Sequence, residues 1–254
     1  MTVLDHPIIT SRYFFPRRQP PPCPFVVEAA DGSRLACHVE APHPGGLTLV
    51  HFHGNGEVVA DWCVGWFKER LLAMGLNVCF AEYRGYGGST GAPALAAMLD
   101  DVERVADALG VPDGRLVAFG RSVGSIYAIE LAARRPGIAG LVLESGIASP
   151  LERVLLRVAP AELGVSRATL EAEAAARLDH AQKLGGYRGP LLVLHAAGDD
   201  LVTPDHAERN HRWAASDRKE LLMLPRGDHN SILAANRDRY MEALQRFVGS
   251  LQSA

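Results

Sequence analysis

The chain has 254 residues, of which 48% are hydrophobic and 22% are charged, a composition typical of a soluble globular protein whose length suits one large α/β domain. Its 26 Lys and Arg against 29 Asp and Glu give a net charge of −3, which excludes a broad basic surface, so we expect no nucleic-acid partner. No run approaches the roughly 18 to 20 consecutive apolar residues of a membrane span.

Cysteine usage and the first residues bear on location. Cys23, Cys37, Cys63 and Cys79 show neither a C-x-x-C pair nor Cys/His ligand spacing, which predicts reduced structural thiols. The opening MTVLDHPIITSRYFFP lacks the basic stretch and apolar core of a secretory signal. We therefore expect a cytoplasmic protein.

Residues 1–24 are predicted to form an N-terminal arm ahead of a domain over 25–254. The arm ends in RRQPPPCP, and clustered prolines fit neither a helix interior nor a sheet interior. Its YFFPRR segment mixes aromatic and basic residues. This segment has two interpretations, contact with a membrane surface and packing against the domain.

The domain begins with a predicted hairpin and continues as alternating strands and helices. Asp31-Gly32 separates two β-rich runs at 25–30 and 34–40. The later strand-like runs are apolar throughout, which indicates a parallel sheet covered by helices on both faces. The predicted strands are Leu47–Phe52, Asn77–Glu82, Leu116–Gly120, Leu141–Leu143, Leu191–His195 and Glu220–Leu224, and the predicted helices are Val58–Met74, Ala94–Leu109, Ser125–Arg135, Pro204–Ala215 and Ser231–Leu251.

The segment 149–189 interrupts this alternation. It contains LERVLLRVAPAELG and LEAEAAARLDHAQKL, both of which favour helices. We therefore expect a small helical cap inserted between two strands, in the place where substrate selectivity would be set. The fold class predicted is α/β, the α/β-type sheet being mostly parallel, of about eight strands with an antiparallel hairpin at its N-terminal end, and covered by helices on both faces.

The sequence LVAFGRSVGS, residues 116–125, places a G-x-S-x-G motif between a strand and a helix. In that context the serine occupies a strained turn with its hydroxyl exposed. Gly120 and Gly124 would supply the clearance and unusual backbone angles that the turn needs. The alternative is an ordinary strand-to-helix turn in which Ser122 is a helix N-cap.

Two further candidates also follow predicted strands, and chemistry in α/β sheets collects at the carboxyl ends of strands. Asp199 and Asp200 come after Leu191–His195, and His229 comes after Glu220–Leu224. The order Ser, Asp, His is that of a nucleophile, an acid and a base. Asp199 is preferred as the acid, Asp200 stays open, and Glu144 is a third acid or a support for the Asp199 loop.

The segment His51-Phe52-His53-Gly54-Asn55-Gly56 ends another predicted strand. A glycine-rich loop there is predicted to supply an oxyanion-hole amide, from Asn55 or else Gly56, beside the amide of Val123. In the competing interpretation His51 and His53 bind a metal, but the further ligands of such a site are missing nearby. We expect no metal and no cofactor, with His53, Gly54, Tyr86 and Arg121 as candidate substrate-pocket residues.

With these motifs, the chain resembles a serine hydrolase of the α/β-hydrolase superfamily. It is most similar to the small, lid-poor branch that includes bud-emergence-type hydrolases, depalmitoylases and serine aminopeptidase-like proteins. The resemblance implies Ser122 as nucleophile, Asp199 as acid and His229 as base. The matching segments are HFHGNGE at 51–57, AEYRGYGGSTG at 81–91, GRSVGS at 120–125, HAAGDDLVTP at 195–204 and GDHN at 227–230.

The chain also departs from that branch. Ala196 stands where a glycine usually follows the histidine, the acid is doubled, and the cysteine-rich anchor of the depalmitoylases is not found, so we expect no stable membrane anchor. The expected activity is hydrolysis of a small-molecule acyl ester or thioester through an acyl-enzyme. The alternatives are an aminopeptidase-like amide hydrolase and a catalytically silent scaffold with this fold.

Overall fold

A computed structural model describes residues 2–252, which contain a single sheet of eight strands in the order β1-β2-β4-β3-β5-β6-β7-β8. Most strands are buried along their full length, as the continuous apolar runs predicted. The strands are β1 Phe25–Glu28, β2 Arg34–Glu40, β3 Thr48–Phe52, β4 Asn77–Ala81, β5 Leu116–Arg121, β6 Gly140–Glu144, β7 Leu191–Ala196 and β8 Lys219–Leu224.

Strand directions confirm the predicted fold class. β1 and β2 form an antiparallel hairpin in which Val26 lies opposite Ala36, and β2 pairs antiparallel with β4. All other neighbouring strands are parallel. The carboxyl ends of β3, β5, β7 and β8 therefore meet at one edge of the sheet, the edge where the sequence places its candidate residues.

Two hydrophobic clusters cover the two faces of the sheet. Successive residues of β5 alternate between them, with Ala118 packed in one cluster and Phe119 in the other. This alternation follows from the two-residue period of a strand. Helices on both faces bury the sheet, so the strand ends that carry the site are held by a packed core.

Two of the predicted helices are divided in the structure. The segment predicted as Val58–Met74 contains α2 and α3, separated at Gly65, whose φ of 88° no helix can contain. The C-terminal segment divides at Asn236 into α10 and α11. The helices outside the arm and the cap are α2 Val59–Trp62, α3 Trp66–Ala73, α4 Ala97–Leu109, α5 Gly124–Arg134, α9 Pro204–Trp213, α10 Ile232–Ala235 and α11 Arg237–Gln252.

The predicted arm contains helix α1, Pro7–Tyr13, ahead of its proline cluster. His6 caps this helix by accepting a hydrogen bond from the Ile8 amide, and Pro7 occupies the first turn, where its missing N–H costs nothing. The cap segment contains α6 Pro150–Leu155, α7 Arg167–Leu178 and α8 His180–Gly186. Over residues 2–252, none of the helices has the length and apolar character needed to cross a bilayer.

Candidate active site

Ser122 occupies a sharp turn between β5 and α5. Its φ of 52° lies in the left-handed region, which is strained for a residue with a side chain. The flanking glycines allow this turn because a Cβ on Gly124 would lie 2.0 Å from the Phe52 carbonyl oxygen, and one on Gly120 would lie 2.5 Å from the Ser125 Cα. The turn therefore presses against the end of β3, where the glycine-rich loop begins.

The structure brings Ser122, His229 and Asp199 into one hydrogen-bonded line. The Ser122 Oγ lies 2.8 Å from His229 Nε2, and His229 Nδ1 lies 2.8 Å from Asp199 Oδ2. The Ser122 hydroxyl therefore bonds to an imidazole, whereas Val123 is the residue in the N-cap position of α5. Three strand ends that are distant in sequence thus supply one contiguous set of groups.

Asp199 is fixed by its own loop. Its Oδ1 accepts hydrogen bonds from the amides of Leu201, at 3.0 Å, and Val202, at 2.8 Å. Burial acts to raise the pKa of Asp199, but the hydrogen bonds from His229 and Val202 and the charge of His229 outweigh it, so the pKa is lowered. Asp200 is exposed, and Asp199 is the carboxylate that contacts the imidazole.

Arg121 connects three parts of the site. Its Nη1 lies 2.6 Å from Glu57, its Nε lies 3.0 Å from Glu144, and its Nη2 donates to the His229 carbonyl oxygen at 3.0 Å. Burial acts to lower the pKa of Arg121, and the two carboxylates outweigh it and raise the pKa. The guanidinium is therefore a buried, paired cation that holds the backbone of the His229 loop.

Glu57 extends this network to the glycine-rich loop. Its Oε2 accepts hydrogen bonds from the Gly54 amide at 2.7 Å and from the Trp62 indole at 3.2 Å. Glu144 bonds to Arg121 and, at 2.5 Å, to the Tyr240 hydroxyl. The sequence-based expectation that Glu144 supports the Asp199 loop is therefore wrong, since this carboxylate supports Arg121.

The Asn55 side chain holds the segment that follows α1. Its Oδ1 accepts hydrogen bonds from the Phe15 amide at 2.9 Å and the Tyr86 hydroxyl at 2.8 Å, and its Nδ2 donates to the Tyr13 carbonyl oxygen. We call residues 13–15 the strap. The side chain of Asn55 thus positions the strap, while its backbone lies in the loop beside Ser122.

His51 and His53 point to opposite sides of the sheet. The His51 ring packs 4.7 Å from the Trp62 ring and 5.0 Å from the Phe119 ring, measured between centroids. His53 Nε2 lies 2.7 Å from Glu82. Burial acts to lower the pKa of His53, and Glu82 outweighs it and raises the pKa. The two rings therefore lie in different surroundings, and each makes its own structural contacts.

A cavity of about 220 Å³ opens beside Ser122. Arg121, predicted as a pocket residue, lines it, as do Asn55 and Val123. His53 and Tyr86 were also predicted as pocket residues, but both side chains are fully buried behind the wall in hydrogen bonds to Glu82 and Asn55. The predicted contact of these two side chains with substrate is therefore corrected to a supporting role. Gly54 lies in the same supporting layer, bonded to Glu57.

The strap and the arginines of the cap were not among the site residues predicted from the sequence. Tyr13, Phe15, Arg153 and Arg157 all line the cavity. The aromatic and basic residues of YFFPRR were the available signal for the strap, although nothing local in the sequence ties them to Asn55. A larger cavity, of about 330 Å³, lies between the cap helices and α9, away from Ser122.

Comparisons with known proteins show which family and fold this chain resembles. Residues 46–174 match the hydrolase family described as serine aminopeptidase, S33. The Escherichia coli K12 protein YfhR is 30% identical over 79% of this chain and 69% of its own length. The human α/β-hydrolase domain-containing protein 17B is 26% identical over 88% of this chain and 74% of its own. An esterase from Exiguobacterium antarcticum has the same fold, with a TM-score of 0.67 at 18% identity over 89% of this chain and 99% of its own.

Proposed function

The chain belongs to the serine aminopeptidase S33 family of α/β-hydrolases, and on this premise we propose that it hydrolyses carboxylic esters or thioesters with Ser122 as the nucleophile. The observation that carries the proposal is the line of hydrogen bonds from Ser122 through His229 to Asp199, each 2.8 Å long. A serine hydroxyl is a weak nucleophile at neutral pH, and such a line is what activates it.

In the proposed mechanism the Ser122 Oγ attacks the acyl carbon while His229 Nε2 accepts the hydroxyl proton. The backbone amides of Asn55 and Val123, two residues that line the cavity, hold the oxyanion of the tetrahedral intermediate. Its collapse expels the alcohol or thiol, which takes the proton from His229. Water, deprotonated by His229, then attacks the acyl-enzyme and releases the acid, and the proton returns to Ser122.

Asp199 keeps the imidazole in the tautomer that these reaction steps need. A carboxylate on Nδ1 leaves Nε2 free to accept the Ser122 proton and stabilises the imidazolium that forms. Arg121 supports the same group from its backbone side through the bond to the His229 carbonyl. We assign Arg121 a positioning role because its donors contact Glu57, Glu144 and His229.

An aminopeptidase-like activity is the second candidate, and the family description favours it. Recognition of a substrate ammonium group requires a free carboxylate near the nucleophile. No Asp or Glu is among the residues 2–252 that line the cavity, and Glu57 is already paired with Arg121. The charge of the cavity thus supports esters over peptides with a free amino terminus. Acetyl, octanoyl and aminoacyl p-nitroanilides and p-nitrophenyl esters would separate the two activities.

The test is turnover of p-nitrophenyl butyrate by the wild type and by Ser122→Ala. We expect the variant to lose at least about 10³-fold in kcat, because the nucleophile is absent. Ser250→Ala, on α11 and remote from the cavity, is the matched control and is expected to retain activity. Thermal melting shows that each variant is folded. Turnover by folded Ser122→Ala at the wild-type rate contradicts the proposal, and the absence of turnover in the wild type supports the silent scaffold.

A further inference from the structure

The wall of the cavity beside Ser122 carries two arginines that pair with no carboxylate of the residues that the structure describes. Arg153 lies on α6 and Arg157 follows that helix, and both line the cavity. Within residues 2–252 neither forms an ion pair with an Asp or Glu. Arg157 donates to the Arg12 carbonyl oxygen at 3.4 Å, and its guanidinium lies 5.2 Å from the centre of the Phe15 ring.

The carboxylates nearest to these arginines in the sequence are occupied elsewhere. Glu162 pairs with Arg12 at 2.8 Å, and Glu152 pairs with Arg209 at 2.8 Å. These two cap carboxylates therefore pair with arginines of α1 and α9, and Arg153 and Arg157 remain available to a ligand. A cation held next to a partly enclosed cavity without a counter-charge favours an anion from solution.

Tyr13 adds a polar group to the same wall. The residue is only 5% exposed, it lines the cavity, and its hydroxyl has no hydrogen-bond partner in the part of the chain that the structure describes. Burial raises the pKa of Tyr13 to about 12, against the opposing charges of Arg153 and Arg157, so the hydroxyl keeps its proton at neutral pH. A buried donor without an acceptor is costly, and an oxygen ligand would remove that cost.

We propose that Arg153, Arg157 and Tyr13 form a subsite for an anionic group, a carboxylate or a phosphate, carried by the ester or thioester substrate. Arginine suits such groups because its planar guanidinium makes charge-assisted hydrogen bonds to two oxygens. The subsite and Ser122 share one cavity of about 220 Å³, so one small molecule reaches both. This inference rests on the proposed function, since it names the substrate class of that site.

Two pairs of esters test the subsite and locate the anion within the substrate. The first pair compares mono-p-nitrophenyl glutarate, whose carboxylate is on the acyl side, with the neutral p-nitrophenyl pentanoate. The second pair compares 3-carboxy-4-nitrophenyl butyrate, whose carboxylate is on the alcohol side, with the neutral 4-nitrophenyl butyrate. In at least one pair we expect kcat/KM to be about tenfold higher for the anionic ester, and added NaCl should reduce this preference.

Variants assign the preference to the proposed residues. Arg153→Gln and Arg157→Gln should each reduce the anionic-to-neutral ratio of kcat/KM severalfold, and the double variant should abolish the preference. Arg104→Gln, at an exposed arginine of α4, changes the net charge equally and is expected to keep the wild-type ratio. Tyr13→Phe should lower the ratio without lowering the free energy of unfolding, because the hydroxyl that it removes has no partner.

The outcomes separate this inference from the proposed function. Turnover that depends on Ser122 but favours the anionic ester in neither pair overturns the subsite alone. So does an anionic preference that the double variant retains. If none of the four esters is hydrolysed in a Ser122-dependent manner, the proposed function itself fails.

Discussion

Arg121 and Arg153 border the same cavity, but their surroundings differ. Arg121 is 6% exposed and contacts two carboxylates and a backbone carbonyl. Arg153 is half-buried and has no ion-pair partner among the described residues. A buried charge is stable only when it is paired, whereas a half-exposed one can remain solvated. Arg121 therefore stabilises the protein through its contacts, whereas Arg153 remains available to a ligand.

The two positions follow from the fold. Arg121 ends a central strand between β3 and β6, where neighbouring strand ends supply partners from several directions. Arg153 lies on α6 in the cap, where one side faces the cavity. Side chains at the sheet edge are thus held in fixed positions by their partners. On the cap, Arg153 lacks such a partner, and an anionic substrate would supply one.

The largest effect is expected from Asp199→Asn, which removes the negative charge beside His229 and is expected to leave the protein folded. The imidazole loses the partner that fixes its tautomer, so kcat for p-nitrophenyl butyrate should fall about 10³- to 10⁴-fold. Asp200→Asn, at the neighbouring exposed position, is the matched control and should retain activity. Steady-state kinetics of both variants decide between the two aspartates, and the reverse ranking would make Asp200 the acid.

The next largest effect is expected on stability, from Arg121→Gln. The substitution leaves Glu57 and Glu144 without their cation, and Glu144 is 2% exposed, so the free energy of unfolding should fall by about 3–5 kcal/mol. Arg153→Gln should change it by no more than about 0.5 kcal/mol. Urea denaturation measures both values. Equal values for the two variants would remove the distinction between the paired and the unpaired arginine.

His180 sharpens the comparison, because it is a buried base that pairs with no carboxylate in the described part of the chain. Its Nδ1 lies 2.9 Å from the Ile147 carbonyl oxygen, and burial lowers its pKa to about 3. The unfolded chain binds this proton near pH 6.5, so stability is lost as the pH falls from there towards 3. His180→Asn should reduce the slope of the free energy of unfolding against pH, over this range, by up to ~1.4 kcal/mol per pH unit. Denaturation at several pH values tests this, and an unchanged slope would contradict it.

The smallest effect is expected from Asn55→Ala, which removes the side-chain hydrogen bonds that hold the strap and keeps the backbone amide of residue 55. Losing the bonds to Phe15, Tyr86 and Tyr13 should cost about 1–2 kcal/mol of stability. KM for p-nitrophenyl butyrate should rise more than kcat falls, because the strap forms a wall of the cavity. Faster tryptic cleavage after Arg12 and Arg17 would accompany this. A large loss of kcat with unchanged KM would contradict the assignment.

The sequence predicted the sheet and the positions of Ser122, Asp199 and His229, because continuous apolar runs identify buried strands and chemistry collects where those strands end. It did not predict the role of Arg121. That role depends on Glu57 and Glu144, which come from different strand ends, and no local pattern encodes their meeting.

The misses at the periphery have a similar cause. The division of the predicted helix at Gly65 reflects a positive φ, whereas an isolated glycine in a helical pattern is often tolerated. Tyr13 and Arg153 are ordinary residues of short helices. Their place in the cavity wall is set by how α1 and α6 pack, which is a tertiary property.

The most direct test of the account is the intact mass of the protein after reaction with a fluorophosphonate, followed by peptide mapping. In the proposed mechanism the line from Asp199 through His229 activates one hydroxyl, so we expect one adduct per chain, on Ser122, that is lost in Ser122→Ala and forms much more slowly in Asp199→Asn. A wild-type protein that stays unmodified, or an adduct that persists in Ser122→Ala, would contradict the assignment of Ser122 as the nucleophile.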